Sequence, residues 1–216
     1  RVMPGTVTNR RLFFQYAAAL GIGGQTLLRS RDLQAAVFDA KESVAMPWPE
    51  MRYRTLGRTG FEASRLIFGC GAALMRRPND RLLNTALDAG VNVFDVGFGR
   101  YYDMAERNLK GFLKNHRDDI FLISKASPGH ADRSLYKQPG ESFSLEEAKR
   151  AAEGWLALLD LSLSELGTDH VDAYYQMASN NTEMIGSEEM YRAFERARAA
   201  GKVKYYGLST HQNAEG

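Results

Sequence analysis

Cysteine is almost absent from this sequence: Cys70 is the only one in 216 residues. A single thiol excludes a disulfide framework and any metal site built on clustered cysteines, and no other metal site is expected. Net charge is scarce as well. Lys and Arg number 28 against 26 Asp and Glu, a formal +2, which argues against a nucleic-acid binder. A stable membrane span needs roughly 20 strongly apolar residues in a row, and none is expected here. A Gly-x-Gly-x-x-Gly loop is also missing. Gly69-Cys70-Gly71 has no third glycine at the right place, which disfavours a Rossmann phosphate loop. What remains is ordinary globular usage, 44% hydrophobic and 25% charged residues. That suffices for one sizeable core and excludes collagen-like, low-complexity and disordered chains.

The small positive excess belongs to the N-terminus. Residues 1–46 carry six bases and three acids, whereas residues 47–216 carry 22 and 23. Thr8-Asn9-Arg10-Arg11-Leu12-Phe13-Phe14, followed by the Ala-rich stretch through Gly24, resembles a bacterial twin-arginine export signal. The alternative is an amphipathic N-terminal helix. If the signal operates, the export machinery is a partner and the mature protein works in the periplasm; otherwise it is cytoplasmic. Residues 40–50, with Pro47 and Pro49 around Trp48, read as a linker. The expected organisation is therefore a signal segment and linker over 1–50 and a folded body over 51–216.

From Met51 the pattern becomes regular. Met51–Leu56 and Phe61–Ser64 flank Gly57-Arg58-Thr59-Gly60 and predict a hairpin. Five strands follow, over 65–69, 91–96, 120–124, 171–176 and 203–208. Helices are predicted over 78–89, 104–115, 144–166 and 187–200 from apolar residues at helical spacing. Ser144 with Glu147 forms a capping-box pattern, and Gly167 is the expected residue just past that helix. Apolar strands alternating with amphipathic helices imply a parallel sheet covered by helices. An open doubly wound sheet and a TIM barrel compete; polar residues at strand ends favour the barrel.

Those strand ends are where chemistry collects in parallel α/β folds. They carry Asp95, Lys125, Gln176-Met177 and Ser209-Thr210, with Tyr101 and Tyr102 just after Asp95. A carboxylate can anchor a lysine and offset the cost of burying it, and the ammonium can lower a phenol's pKa from about 10 toward working pH. Such a phenol can protonate a carbonyl oxygen. Each residue alone also has a bland reading, as a cap, a surface strand end or a packing ring. Cys70, as a lone thiol, is expected to be small apolar packing.

The body resembles the aldo-keto reductases, NADP-dependent (β/α)8 oxidoreductases. Five stretches carry the resemblance in family order: 51–60, 86–95, 105–109, 166–172 and 200–209. The resemblance implies an α/β partial TIM barrel whose opening hairpin plugs the bottom. It implies that Asp95 and Lys125 are catalytic and that Ser209, with Thr210 beside it, meets the nicotinamide of NADP or NAD, Asp95 lying close by. The family's tyrosine falls five residues after the aspartate, here at Arg100, so a small loop shift is needed and Tyr101 is preferred over Tyr102. The family's substrate-orienting histidine falls on Met177, with Gln176 adjacent.

Two departures follow. A thioether cannot donate a hydrogen bond, so the chain reads either as a reductase of a small-molecule carbonyl or alcohol, or as a barrel that kept its fold and lost its reaction. A full barrel also needs eight strands and about 250 residues. With about five βα units and Arg1 at its start, the sequence is read as a fragment expected to aggregate or to be molten.

Overall fold

The computed structural model describes residues 49–211, apart from the side chain of Arg100. The twin-arginine-like segment and most of the linker lie outside the described residues. The compact unit that begins at Met51 opens with β1 (Tyr53–Thr55) and β2 (Glu62–Ser64), an antiparallel hairpin. Five parallel strands follow: β3 (Phe68–Gly69), β4 (Val93–Asp95), β5 (Phe121–Ala126), β6 (Val171–Met177) and β7 (Val203–Ser209). They hydrogen-bond in chain order, β3-β4-β5-β6-β7. A doubly wound sheet reverses direction at a switch point, and this one never does. Every crossover steps one strand the same way, which is how a barrel is wound. The fold is the expected α/β partial barrel.

The crossovers hold α1 (Cys70–Leu74), α2 (Asp80–Asp88), α3 (Gly99–Tyr102), α4 (Ala105–His116), α5 (Pro128–Ala131), α6 (Leu145–Leu166), α7 (Thr182–Ile185) and α8 (Glu188–Ala199). Alternate strand residues face opposite ways, and two cores result. Phe94, Leu122, Tyr174 and Tyr206 pack outward on Leu83, Leu109, Phe112, Trp155, Leu159 and Phe194 of the helices. Val93, Phe121, Ile123 and Ala173 face inward and meet Ala63 and Phe61 of the hairpin.

The hairpin is fastened at the N-terminal ends of the strands. Asn92, just before β4, accepts from the Ser64 N–H (2.8 Å) and donates to the Glu62 carbonyl (2.9 Å). Tyr205 donates to the Thr59 carbonyl (3.2 Å), and the Phe61 and Phe121 rings lie 5.2 Å apart. This is the bottom plug that the family resemblance implied, and it leaves the site at the opposite ends of the strands.

Local signals explain most boundaries. The Ser144 hydroxyl accepts from the Glu147 N–H while Glu147 accepts from the Ser144 N–H, and Gly167 closes α6 at φ +66°. Helix α2 starts later than predicted, at Asp80, because Asn79 caps it by accepting from Leu82 N–H. The strand expected over 65–69 shrinks to two residues: Leu66 and Ile67 are 64% and 58% exposed, so their apolar character marks surface rather than a buried strand. The short helices α1, α3, α5 and α7 went unpredicted, since four or five residues hold barely one turn of periodicity.

Candidate active site

Strand alternation puts Lys125 on the face that continues Phe121 and Ile123, and Asp95 on the face that continues Val93. Both therefore point into the barrel at the C-terminal ends of their strands. The Lys125 side chain is 7% exposed and that of Asp95 31%. Lys125 Nζ donates to both Asp95 oxygens, at 2.6 and 2.5 Å. A buried ammonium is costly to desolvate, and a two-oxygen carboxylate grip is what offsets that cost.

The phenol that joins them is Tyr102. Its ring lies over Lys125, with Nζ 5.4 Å from the ring centroid. It occupies a slot between two glycines. A Cβ on Gly97 would stand 2.7 Å from the ring and 3.0 Å from Lys125 Cγ, and one on Gly71 would overlap the ring. Tyr101 is 52% exposed and forms a T-shaped pair with the Tyr102 ring, at 4.7 Å between centroids. The preference for Tyr101 is thus reversed: α3 turns the second tyrosine, not the first, toward the pair.

The electrostatics also differ from expectation. Burial pushes the Tyr102 phenol up, and the charge of Asp95 adds to it, with Tyr101 contributing. The ammonium lies over the ring, 5.4 Å from its centroid, and is held by the carboxylate. Tyr102 therefore rests as a neutral phenol.

Met177 ends β6 on the inner face, buried. Gln176 does not join it. It is fully buried on the outer face, where it accepts from the Tyr206 hydroxyl (2.5 Å). One residue of strand separates it from the site, so its assignment as a substrate-orienting group is withdrawn. Ser209 pairs with Met177 in register and faces inward. Thr210 lies past the strand end and donates to Asn180 Oδ1 (2.6 Å). Cys70 is fully buried against the first strand end; burial and then the Asp95 charge push its thiol up, which makes it inert packing.

Three features of the site are absent from the sequence expectations. Gly71 and Gly97 are the walls of the Tyr102 slot. Ala178 holds φ +58° directly after Met177; its turn brings the Ser179 N–H to the Ser209 carbonyl (3.1 Å) and ties the ends of β6 and β7. Tyr175 faces inward beside Lys125. A pleat pattern could have pointed to Tyr175, which stands two residues from Met177. The Gly71 contact spans 31 residues and left no local trace.

The end of β7 is polar. Ser209 offers a hydroxyl that both donates and accepts, and Asn180 lies next to it across Thr210. Among the described residues no group of three His, Cys, Asp or Glu could hold a metal ion, and no helix is long and apolar enough to cross a membrane.

Comparison with known proteins identifies the family. Residues 69–215 match the Aldo/keto reductase family. An uncharacterised oxidoreductase of Bacillus subtilis, YqkF, is 30% identical over 166 residues, covering 74% of this chain and 49% of that protein. The L-glyceraldehyde 3-phosphate reductase of Escherichia coli K12 is 29% identical over 173 residues, covering 75% and 46%. A solved putative aldo-keto reductase from Pseudomonas aeruginosa superposes with a TM-score of 0.55 at 26% identity, covering 73% of this chain and 60% of that one. The chain spans about half the length of these curated relatives.

Proposed function

The chain belongs to the aldo/keto reductase family, and on that premise we propose that its gene product is an oxidoreductase interconverting a small-molecule carbonyl and an alcohol. The observation that carries this reading is the Lys125 ammonium gripped by both Asp95 oxygens beneath the Tyr102 ring. A bound NADP(H) or NAD(H) supplies or accepts the hydride. Ser209 and Asn180 are the residues here that would hold its carboxamide.

Tyr102 gives its hydroxyl proton to the carbonyl oxygen as negative charge develops there. Its resting pKa lies above that of a free phenol, so the proton is present at neutral pH. The phenolate left behind has a fixed ammonium 5.4 Å from its ring centroid, which favours it and brings the proton transfer within range. Asp95 keeps that ammonium in place. Solvent then returns the proton to Tyr102. In the reverse direction the same groups take the proton from an alcohol.

The test is steady-state turnover of an aldehyde panel by the full-length protein. Tyr102→Phe is expected to lower kcat by about 10²–10⁴-fold with unchanged NADPH affinity by fluorescence titration, while Tyr101→Phe keeps most of it. Full activity in Tyr102→Phe removes the proposed acid. Met177 favours a second reading, a barrel that holds nucleotide without turnover. NADPH binding with no reduction of any aldehyde selects it.

We further propose that the protein acts outside the cytoplasm, on the strength of the paired Arg10-Arg11 and the hydrophobics after them. Fractionation of cells carrying the full-length gene, with and without Arg10→Lys/Arg11→Lys, decides it. Cytoplasmic residence of both versions sinks the proposal.

A further inference from the structure

Four tyrosines lie on β6 and β7, and three of their hydroxyls have partners. Tyr174 shares a hydrogen bond with Ser162 (3.2 Å), Tyr205 donates to the Thr59 carbonyl (3.2 Å), and Tyr206 donates to Gln176 Oε1 (2.5 Å). Tyr175 is the exception: among the described residues its hydroxyl makes no hydrogen bond. The residue is half-buried while its hydroxyl stays open to solvent, and so to a ligand. Its position explains what the vacant hydroxyl can meet. Tyr175 pairs in register with Lys125 on one side and Gly207 on the other, all three on the inner face. The ring lies so close over Gly207 that a Cβ there would overlap it.

A carbonyl oxygen that gains charge in the transition state needs fixed donors around it. The inner wall offers few. Lys125 gives hydrogen bonds to both Asp95 oxygens. Met177, two residues along from Tyr175 on the same face, has no donor. Ser209 stands at the strand end beside Asn180 and suits a carboxamide. The phenols of Tyr102 and Tyr175 remain. Burial raises both, and the charge of Asp95 acts on both in the same sense, so each stays protonated and able to donate.

We infer that Tyr175 donates a hydrogen bond to the substrate's carbonyl oxygen, alongside Tyr102, and so sets the orientation of the carbonyl. The inference rests on the reductase reading above. It assigns the second polar contact of the site to a strand residue two positions below Met177. Tyr175 never transfers its proton; Tyr102 does, and Tyr175 stabilises the developing charge.

The experiment is reduction of 4-nitrobenzaldehyde by the full-length protein with NADPH. The proteins compared are wild type, Tyr175→Phe, Tyr102→Phe and Tyr175→Phe/Met177→His. Tyr175→Phe is expected to lose about 10²-fold in kcat with NADPH affinity unchanged. Met177→His in that background restores at least about tenfold, because an imidazole returns a donor to the same face. Gly207→Ala, which forces the Tyr175 ring aside but keeps its hydroxyl, loses the same kind of factor. Wild-type kcat in Tyr175→Phe, with activity lost in Tyr102→Phe, overturns the inference and leaves the reductase reading intact. A loss in Tyr175→Phe that comes with lost NADPH binding, or that Met177→His does not relieve, marks a wall residue and also overturns it. A wild-type protein that binds NADPH and reduces nothing overturns the reductase reading first.

Discussion

Glu106 is a carboxylate in the wrong place for a charge, and its replacement by Gln is the sharpest test of the packing described above. It is 2% exposed, under the outer face of β5. One oxygen accepts from the Ser124 hydroxyl (2.6 Å), and the other has no hydrogen-bond partner. Burial pushes its pKa from 4.5 up to about 7, while Ser124 and, after it, Ser162 pull the other way. The folded chain therefore binds a proton more tightly than the unfolded one. The stability this contributes is complete below about pH 4.5 and is lost progressively as the pH rises to about 7. The gap of roughly 2.5 pK units is worth about 3 kcal/mol, at 1.36 kcal/mol per unit. Glu106→Gln keeps the shape and removes the titration. Urea unfolding followed by far-ultraviolet circular dichroism at pH 5 and pH 8 reads the difference. The variant should match wild type near pH 5 and exceed it by up to about 3 kcal/mol at pH 8. Parallel pH dependences in the two proteins would refute the reasoning, because they would mean that Glu106 is ionised in the fold at no cost.

Three further perturbations follow from the same geometry. Gly97→Ala puts a Cβ 2.7 Å from the Tyr102 ring; overpacking costs about 1–3 kcal/mol, and aldehyde turnover should fall more than NADPH affinity, which parallel kinetic and fluorescence titrations check. Asp172 is buried between Arg117 (2.9 Å) and Lys204 (2.8 Å). Burial raises its carboxyl, but the Lys204 bond, the Leu122 N–H and the Arg117 charge outweigh that and leave it below the usual range. Its contribution is present above an unfolded value of 3.8 and is lost as the pH falls through the lower folded one; Asp172→Asn should cost about 3 kcal/mol at pH 7 by strandng a buried guanidinium, measured by urea midpoint. Ala178→Gly should stabilise by on the order of 0.5–1 kcal/mol, since φ +58° suits glycine; an unchanged or lower thermal midpoint would contradict the strain.

Much of the architecture was legible from local chemistry. The capping box at Ser144, the glycine at 167 and the apolar spacing of Leu109, Phe112 and Leu113 are short-range patterns, and the helices they mark are present. The Asp95–Lys125 pair was legible too, because both residues end apolar strands, and strand ends in a parallel sheet converge. The two-residue β3 was not: Leu66 and Ile67 look like core and face solvent.

Local residue patterns set the rhythm of strand and helix and name the paired charges. The tertiary structure alone decided which tyrosine meets them, that Gln176 turns its back on the site, and that Tyr175 keeps its hydroxyl free. The physical reason is parity and distance. Shifting a strand residue by one reverses its face. Whether a ring fits against Lys125 depends on missing side chains at Gly71 and Gly97, one of them 31 positions from Tyr102 and the other five.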